Sequence, residues 1–150
     1  MAFRYTVRTD KDVEFTGAIA QNASEEENVV LPVTLKGING NARIRLKGMH
    51  IISDENLDWE VWLFGNDLFQ ESNIDNDRFL GRWSFVAADG LRIAGTGAYY
   101  YAIDGLDVEY VDLDNSGEIH VALVNRSAAG KTAGAAGEIV IEFVFEVPQP

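Results

Sequence analysis

Residues 138–147 read EIVIEFVFEV, and this run decides the fold class. Ile139, Ile141, Phe143, Phe145 and Val147 fall on one parity; Glu138, Glu142 and Glu146 fall on the other. Successive side chains of a strand point to opposite faces, so this is the period-two pattern of a half-buried β-strand. A second apolar run, residues 118–125, precedes it, and the two flank the small-residue tract SAAGKTAGAAG at 127–137. Within that tract Gly130-Lys131-Thr132 invites comparison with a phosphate-binding loop. Such a loop needs a glycine five residues before Gly130 and a helix after the lysine. Position 125 is Asn and a strand follows, so the tract reads as a hairpin connection whose Ala/Gly surface lets another chain approach closely.

Working outward, the same alternation recurs. Phe3, Tyr5 and Val7 alternate with Arg4, Thr6 and Arg8 in an N-terminal strand. Residues 20–28 (AQNASEEEN) read as a polar, acidic loop, and 29–35 as a strand that Pro32 confines to a sheet edge or bulge. Residues 42–52 form a strand with Ile44 and Leu46 facing in and Arg43, Arg45 and Lys47 facing out. In 57–64, Trp59, Val61 and Leu63 share one parity and Trp62 and Phe64 the other, which predicts a central strand covered on both sides. A long polar connection occupies 66–82, and further strands are expected at 82–86, 91–93, 97–102 and 107–113. The Asp-Gly pairs at 89–90 and 104–105 carry the signature of tight turns. Nine or ten short strands separated by Gly, Asn and Asp turns predict an all-β protein, a single-domain β-sandwich spanning 1–150, with a jelly roll as the expected topology.

Composition bounds the function. The chain has 150 residues, enough for one domain with a real core. It carries 12 Lys+Arg against 24 Asp+Glu, a net charge of −12, unevenly spread: residues 1–47 sum to +1 and residues 48–150 to −13. Such a surface repels phosphate backbones and anionic membranes, so neither nucleic acid nor membrane is an expected partner. There are no cysteines, which excludes disulfides, thiolate metal sites and cysteine nucleophiles. No signal peptide is read at the start and no apolar run nears the ~18 residues of a membrane span, so synthesis in a cytoplasm is expected.

Candidate chemistry is sparse, and no enzymatic activity or cofactor is expected. Asp112-Leu-Asp114-Asn-Ser116-Gly117 matches the first half of a calcium loop, making Asp112, Asp114 and Ser116 its candidate ligands. The bidentate acid expected at the twelfth position is replaced by Leu123, and an ordinary Asp-rich turn explains the stretch as well. His50 and His120 stand alone in strand patterns and read as hydrogen-bonded or surface histidines. Asn125-Arg126-Ser127 fits the glycosylation sequon formally. Trp59, Trp62, Trp83, Tyr99, Tyr100, Tyr101 and Tyr110 supply core or interface area; alternatively, rings such as Trp62 and Tyr100 form a glycan-stacking platform.

The segments YYYAID (99–104), IHVALVNRS (119–127) and AAGKTAGAAGEIV (128–140) resemble the C-terminal part of small virion proteins of marine and cyanobacterial tailed phages, similar to head decoration (cement) proteins. That resemblance implies a β-sandwich without cofactor that binds the outside of a capsid and clamps neighbouring subunits. Its expected partners are the major capsid protein and copies of itself, on a virion assembled in a host cytoplasm. The candidate interface is then the N-terminal strand with Phe3 and Tyr5, the basic face Arg43/Arg45/Lys47 and the 127–137 loop with Lys131.

Overall fold

The computed structural model describes residues 3–9, 15–16, 18–30, 43–65, 79–95, 97–111, 117–130 and 139–147. Nine strands are found among them: β1 (Phe3–Arg8), β2 (Ser24–Val30), β3 (Arg43–Ser53), β4 (Trp59–Phe64), β5 (Phe79–Phe85), β6 (Leu91–Arg92), β7 (Tyr99–Val111), β8 (Glu118–Asn125) and β9 (Ile139–Val147). One sheet has the order β1-β9-β3-β7-β6, the other β2-β8-β4-β5. Every pairing is antiparallel. β1 pairs with β9, β2 with β8, β3 with β7 and β4 with β5, so the chain is nested from its ends inward. Wrapping four nested antiparallel pairs into two facing sheets is the jelly-roll winding. The two-residue β6 is an addition at one edge.

The core lies between the sheets. β9 alternates strictly between buried and half-buried residues, with Ile139, Ile141, Phe143, Phe145 and Val147 inside. From the facing sheet come Trp59, Val61 and Leu63 of β4 and Ile119, Val121 and Leu123 of β8. β4 and β8 are the central strands of their sheet and are buried on nearly every residue of both faces, as the two-sided apolar pattern of 57–64 predicts. Two tyrosines of β7 bolt the layers together. The Tyr110 hydroxyl lies 3.1 Å from the Phe64 carbonyl and 3.0 Å from that of Glu118, and accepts the His120 amide at 3.2 Å. The Tyr101 hydroxyl donates to Asn56 and lies 3.3 Å from the Leu57 carbonyl; burial pushes its pKa up to about 12.

Two expectations need correction. The acidic stretch read as a loop over 20–28 is half strand: Ser24–Val30 pairs residue for residue with β8. The strands expected at 97–102 and 107–113 are one continuous β7, and Asp104-Gly105 makes no hairpin. Gly105 takes φ +74° within a bulge: three β7 residues, 105–107, stand opposite Lys47 alone. The Asp89-Gly90 turn does form, at the end of a 3₁₀ turn over Ala87–Asp89. There a Cβ on Gly90 would lie 2.6 Å from Asn56 Oδ1 and 3.0 Å from the buried Tyr101 ring. Gly90→Ala is therefore expected to lower stability by about 1–3 kcal/mol, read as a shift in the denaturation midpoint at unchanged slope.

Candidate docking face

The outer face of the first sheet is ordered row by row. At one end Arg4 (β1), Glu146 (β9), Arg45 (β3) and Glu109 (β7) stand in cross-strand register, so the sign of charge alternates across four strands. Arg4 reaches Glu146 at 2.9 Å. Arg45 and Lys47 both hold Asp107, at 3.0 and 2.9 Å, and Lys47 lies 3.6 Å from Glu146. The hydrogen bond from Lys47, then the charges of Arg45 and Lys47, hold the Asp107 carboxyl below its ordinary value. Exposed pairs of this kind add little stability, because solvent and salt screen them. Their main effect is on register, because a one-residue slip would turn these charged side chains onto the core face.

Next to this row β3 bulges. Between Leu46 and Gly48 it advances two residues while β9 advances one, so Lys47 and Gly48 both face outward. Gly48 has no side chain to fill the row it shares with Val144 and Asp104, which leaves a hollow of about 550 Å³ lined by Arg4, Lys47, Val144, Asp104 and Asp107. Each charged side chain of that lining is already paired within the sheet.

Beyond the hollow comes Arg8–Glu142–His50, and beyond that an apolar row. Val140 (β9), Ile52 (β3), Tyr100 (β7) and Leu91 (β6) are consecutive register partners across four strands. None belongs to the core: Val140, Ile52 and Tyr100 are half-buried and Leu91 is 69% exposed. Tyr100 tilts against the His50 ring at a centroid distance of 5.6 Å.

The outer face of the second sheet is built around a buried acid. Glu60 of β4 is 6% exposed, and its two carboxylate oxygens accept from Arg82 at 2.9 Å and Arg126 at 2.6 Å. Arg126 also donates to Asn22 Oδ1 at 3.1 Å. Trp62 lies beside this network, 3.4 Å from Glu60 through its ring nitrogen, with its ring 5.5 Å from Phe79.

These positions decide what the sequence candidates can do together. Trp62 and Tyr100 sit on opposite outer faces of the sandwich, so they cannot form one glycan platform. Trp59, Tyr101 and Tyr110 are buried, and Trp83 and Tyr99 pack against the core. Tyr5 also packs half-buried against the core, its neighbours Arg4 and Arg8 facing outward. Arg45 and Lys47 do face outward, but as members of a neutralised ladder rather than a basic patch. Phe3 pairs through its backbone with Val147, and Arg43 with Val111. Lys131 and the calcium candidates Asp112, Asp114 and Ser116 lie outside the described residues. Among the described residues no group of three or more His, Asp or Glu side chains is placed to hold a metal ion. His120 is hydrogen-bonded, its Nδ1 2.8 Å from Asn28 Oδ1.

Two arrangements escaped the sequence reading. One is the apolar row: Val140 has the parity of the outward glutamates, but Ile52 has that of the inward Ile44 and Leu46, and only the β3 bulge and the strand register align both with Tyr100 and Leu91. The other is Asn125, which is fully buried. Its Nδ2 donates to the carbonyls of Ile19 (3.1 Å) and Ala129 (2.9 Å), and its Oδ1 accepts from the Ser127 amide (2.8 Å). An amide spent this way is not available as a glycan acceptor in the folded protein.

No protein-family model matches the chain, and no curated protein matches it. Among solved structures the chain is similar to one from the X-ray structure of tomato aspermy virus, with 12% identity and a TM-score of 0.49 over 99% of this chain and 79% of that one. The jelly-roll assignment rests on this chain's own strand order.

Proposed function

We propose that the protein is a non-enzymatic structural component of a virion, bound to the outer surface of a capsid and stabilising it through protein–protein contacts. The observation that carries this reading is the outer face of the first sheet, where the Val140–Ile52–Tyr100–Leu91 row adjoins a ladder of paired charges. An apolar and aromatic centre beside a polar margin is the anatomy of a protein interface. The C-terminal resemblance to head decoration proteins supplies the kind of partner: a major capsid protein, with further copies of this chain alongside. A rigid sandwich suits the task, because little ordering entropy is lost when a preformed face docks.

Mixing the purified protein with undecorated heads of a tailed phage of this kind tests the reading. Saturable binding, together with a higher temperature of head disruption, is expected. Absence of saturable binding would refute it.

A further inference from the structure

We propose that His50 is a proton-operated clasp on the outer face of the first sheet: doubly protonated, it bridges the side chains of Glu142 on β9 and Asp104 on β7 at once, and on losing a proton it releases Asp104. The inference stands on the geometry of the sheet and does not depend on what docks there.

The two ring nitrogens have different partners on different strands. Nδ1 lies 3.0 Å from Glu142 Oε1 of β9, and Nε2 lies 2.9 Å from Asp104 Oδ1 of β7. Ionised carboxylates only accept hydrogen bonds, so both nitrogens must donate, and only the imidazolium does so. A neutral ring has one N–H and must abandon one of the two acids. Gly48 makes room for the double bridge, since a Cβ there would press to 3.1 Å from Asp104 Oδ1 and 3.6 Å from His50 Nε2.

The surroundings decide which bond is lost. Glu142 is also held by Arg8 of β1, and its side chain is only 18% exposed. Asp104 is 75% exposed, next to the Gly105 bulge, and can rehydrate at little cost. The β3–β7 arm therefore opens first, beside the hollow and the Tyr100 ring. Arg8, Glu142, His50 and Asp104 sum to zero when the ring is charged and to −1 when it is not. Tyr100 stays neutral throughout, because burial and then the charges of Asp104 and Glu142 raise its pKa.

The protonation equilibria agree in sign. Burial works against a charged His50 ring, but hydrogen bonds from Asp104 and Glu142 and their charges outweigh it, so its pKa is raised above 6.5. Burial likewise opposes ionisation of Glu142, and His50 and Arg8 outweigh it, so its pKa is lowered below 4.5. The histidine's contribution to stability is full below pH 6.5 and is lost as pH rises through the raised value. The glutamate's contribution is lost as pH falls through its depressed value. The clasp is complete between about pH 4.5 and 6.5.

Nitrogen-detected NMR titration of the intact protein tests this. There are two histidines, and the spectrum of His120→Gln isolates His50. The expected result is a His50 midpoint above 6.5, both nitrogens protonated at pH 6, and a midpoint lower by about half a unit or more in Asp104→Asn. A midpoint at or below 6.5, or an unchanged midpoint in Asp104→Asn, would overturn the proposal. In denaturation, the wild-type midpoint should fall between pH 6 and pH 8.5 relative to His50→Gln; parallel curves would count equally against it.

Discussion

Asn125→Leu is expected to destabilise the protein by about 3 kcal/mol, although leucine has the same branched skeleton as asparagine. The side chain is buried completely and satisfies three backbone groups, the carbonyls of Ile19 and Ala129 and the amide of Ser127. Its own backbone continues the β2–β8 junction, accepting from Asn22 at 2.7 Å and donating to Ala23 at 3.2 Å. A single residue thus joins the turn before β2 to the exit of β8. Leucine would leave all three groups without a side-chain partner. The Ile19 carbonyl, the most deeply buried, carries the largest part of the cost; the other two regain some water. Urea denaturation of the two proteins measures it, and a loss under ~1 kcal/mol would mean that the end of β8 relaxes to satisfy itself.

The second large effect is expected from Arg82→Ala combined with Arg126→Ala. Both guanidiniums reach one buried carboxylate, that of Glu60. Removing both leaves an ion in the sheet without a counter-charge, a change that costs about 3–5 kcal/mol in buried pairs. The low end of that range applies, because the two arginine side chains are 58% and 36% exposed and solvent already screens the site. Each single variant should cost less than half of the double, since the remaining arginine still holds Glu60. Adding Glu60→Gln to the double variant should recover most of the loss, as a neutral amide needs no cation. Failure of that rescue would show that the arginines act through packing along their stems rather than through charge.

Much of the architecture was legible in the chain. The runs at 118–125 and 138–147 are β8 and β9 to within a residue: strict alternation between an apolar face and glutamates marks β9, and an apolar run of strand length marks β8. The two-sided burial of β4 was equally legible from its unbroken aromatic and aliphatic run. β2 was not. Ser-Glu-Glu-Glu-Asn has no strand preference of its own and is drawn into the sheet by pairing with the apolar β8, a tertiary override of local composition. Asp104-Gly105 gave a true local signal with a different meaning. The positive φ at Gly105 is present, but it serves a bulge in a continuous strand, and sequence alone does not separate a bulge from a reversal.

The site was less legible than the fold, for a geometric reason. Alternation placed Arg45 and Lys47 outside, yet their neutralisation by Asp107 depends on register between strands about 60 residues apart in sequence. His50 finds partners 54 and 92 positions away. The same holds for the apolar row, whose four members come from four strands. Local pattern shows which side of a strand a residue occupies; only the nested winding shows what stands beside it.

Docking of the first sheet's outer face on a capsid can be measured as head binding by the wild type and by Tyr100→Ser with Leu91→Ser. Both positions are outside the core, so the variant should keep its denaturation midpoint within about 1 kcal/mol of the parent. Saturable wild-type binding is expected, with a loss of affinity of about 100-fold or more in the variant, the usual weight of two central interface side chains. Binding of equal strength by both proteins, or by neither, would contradict it.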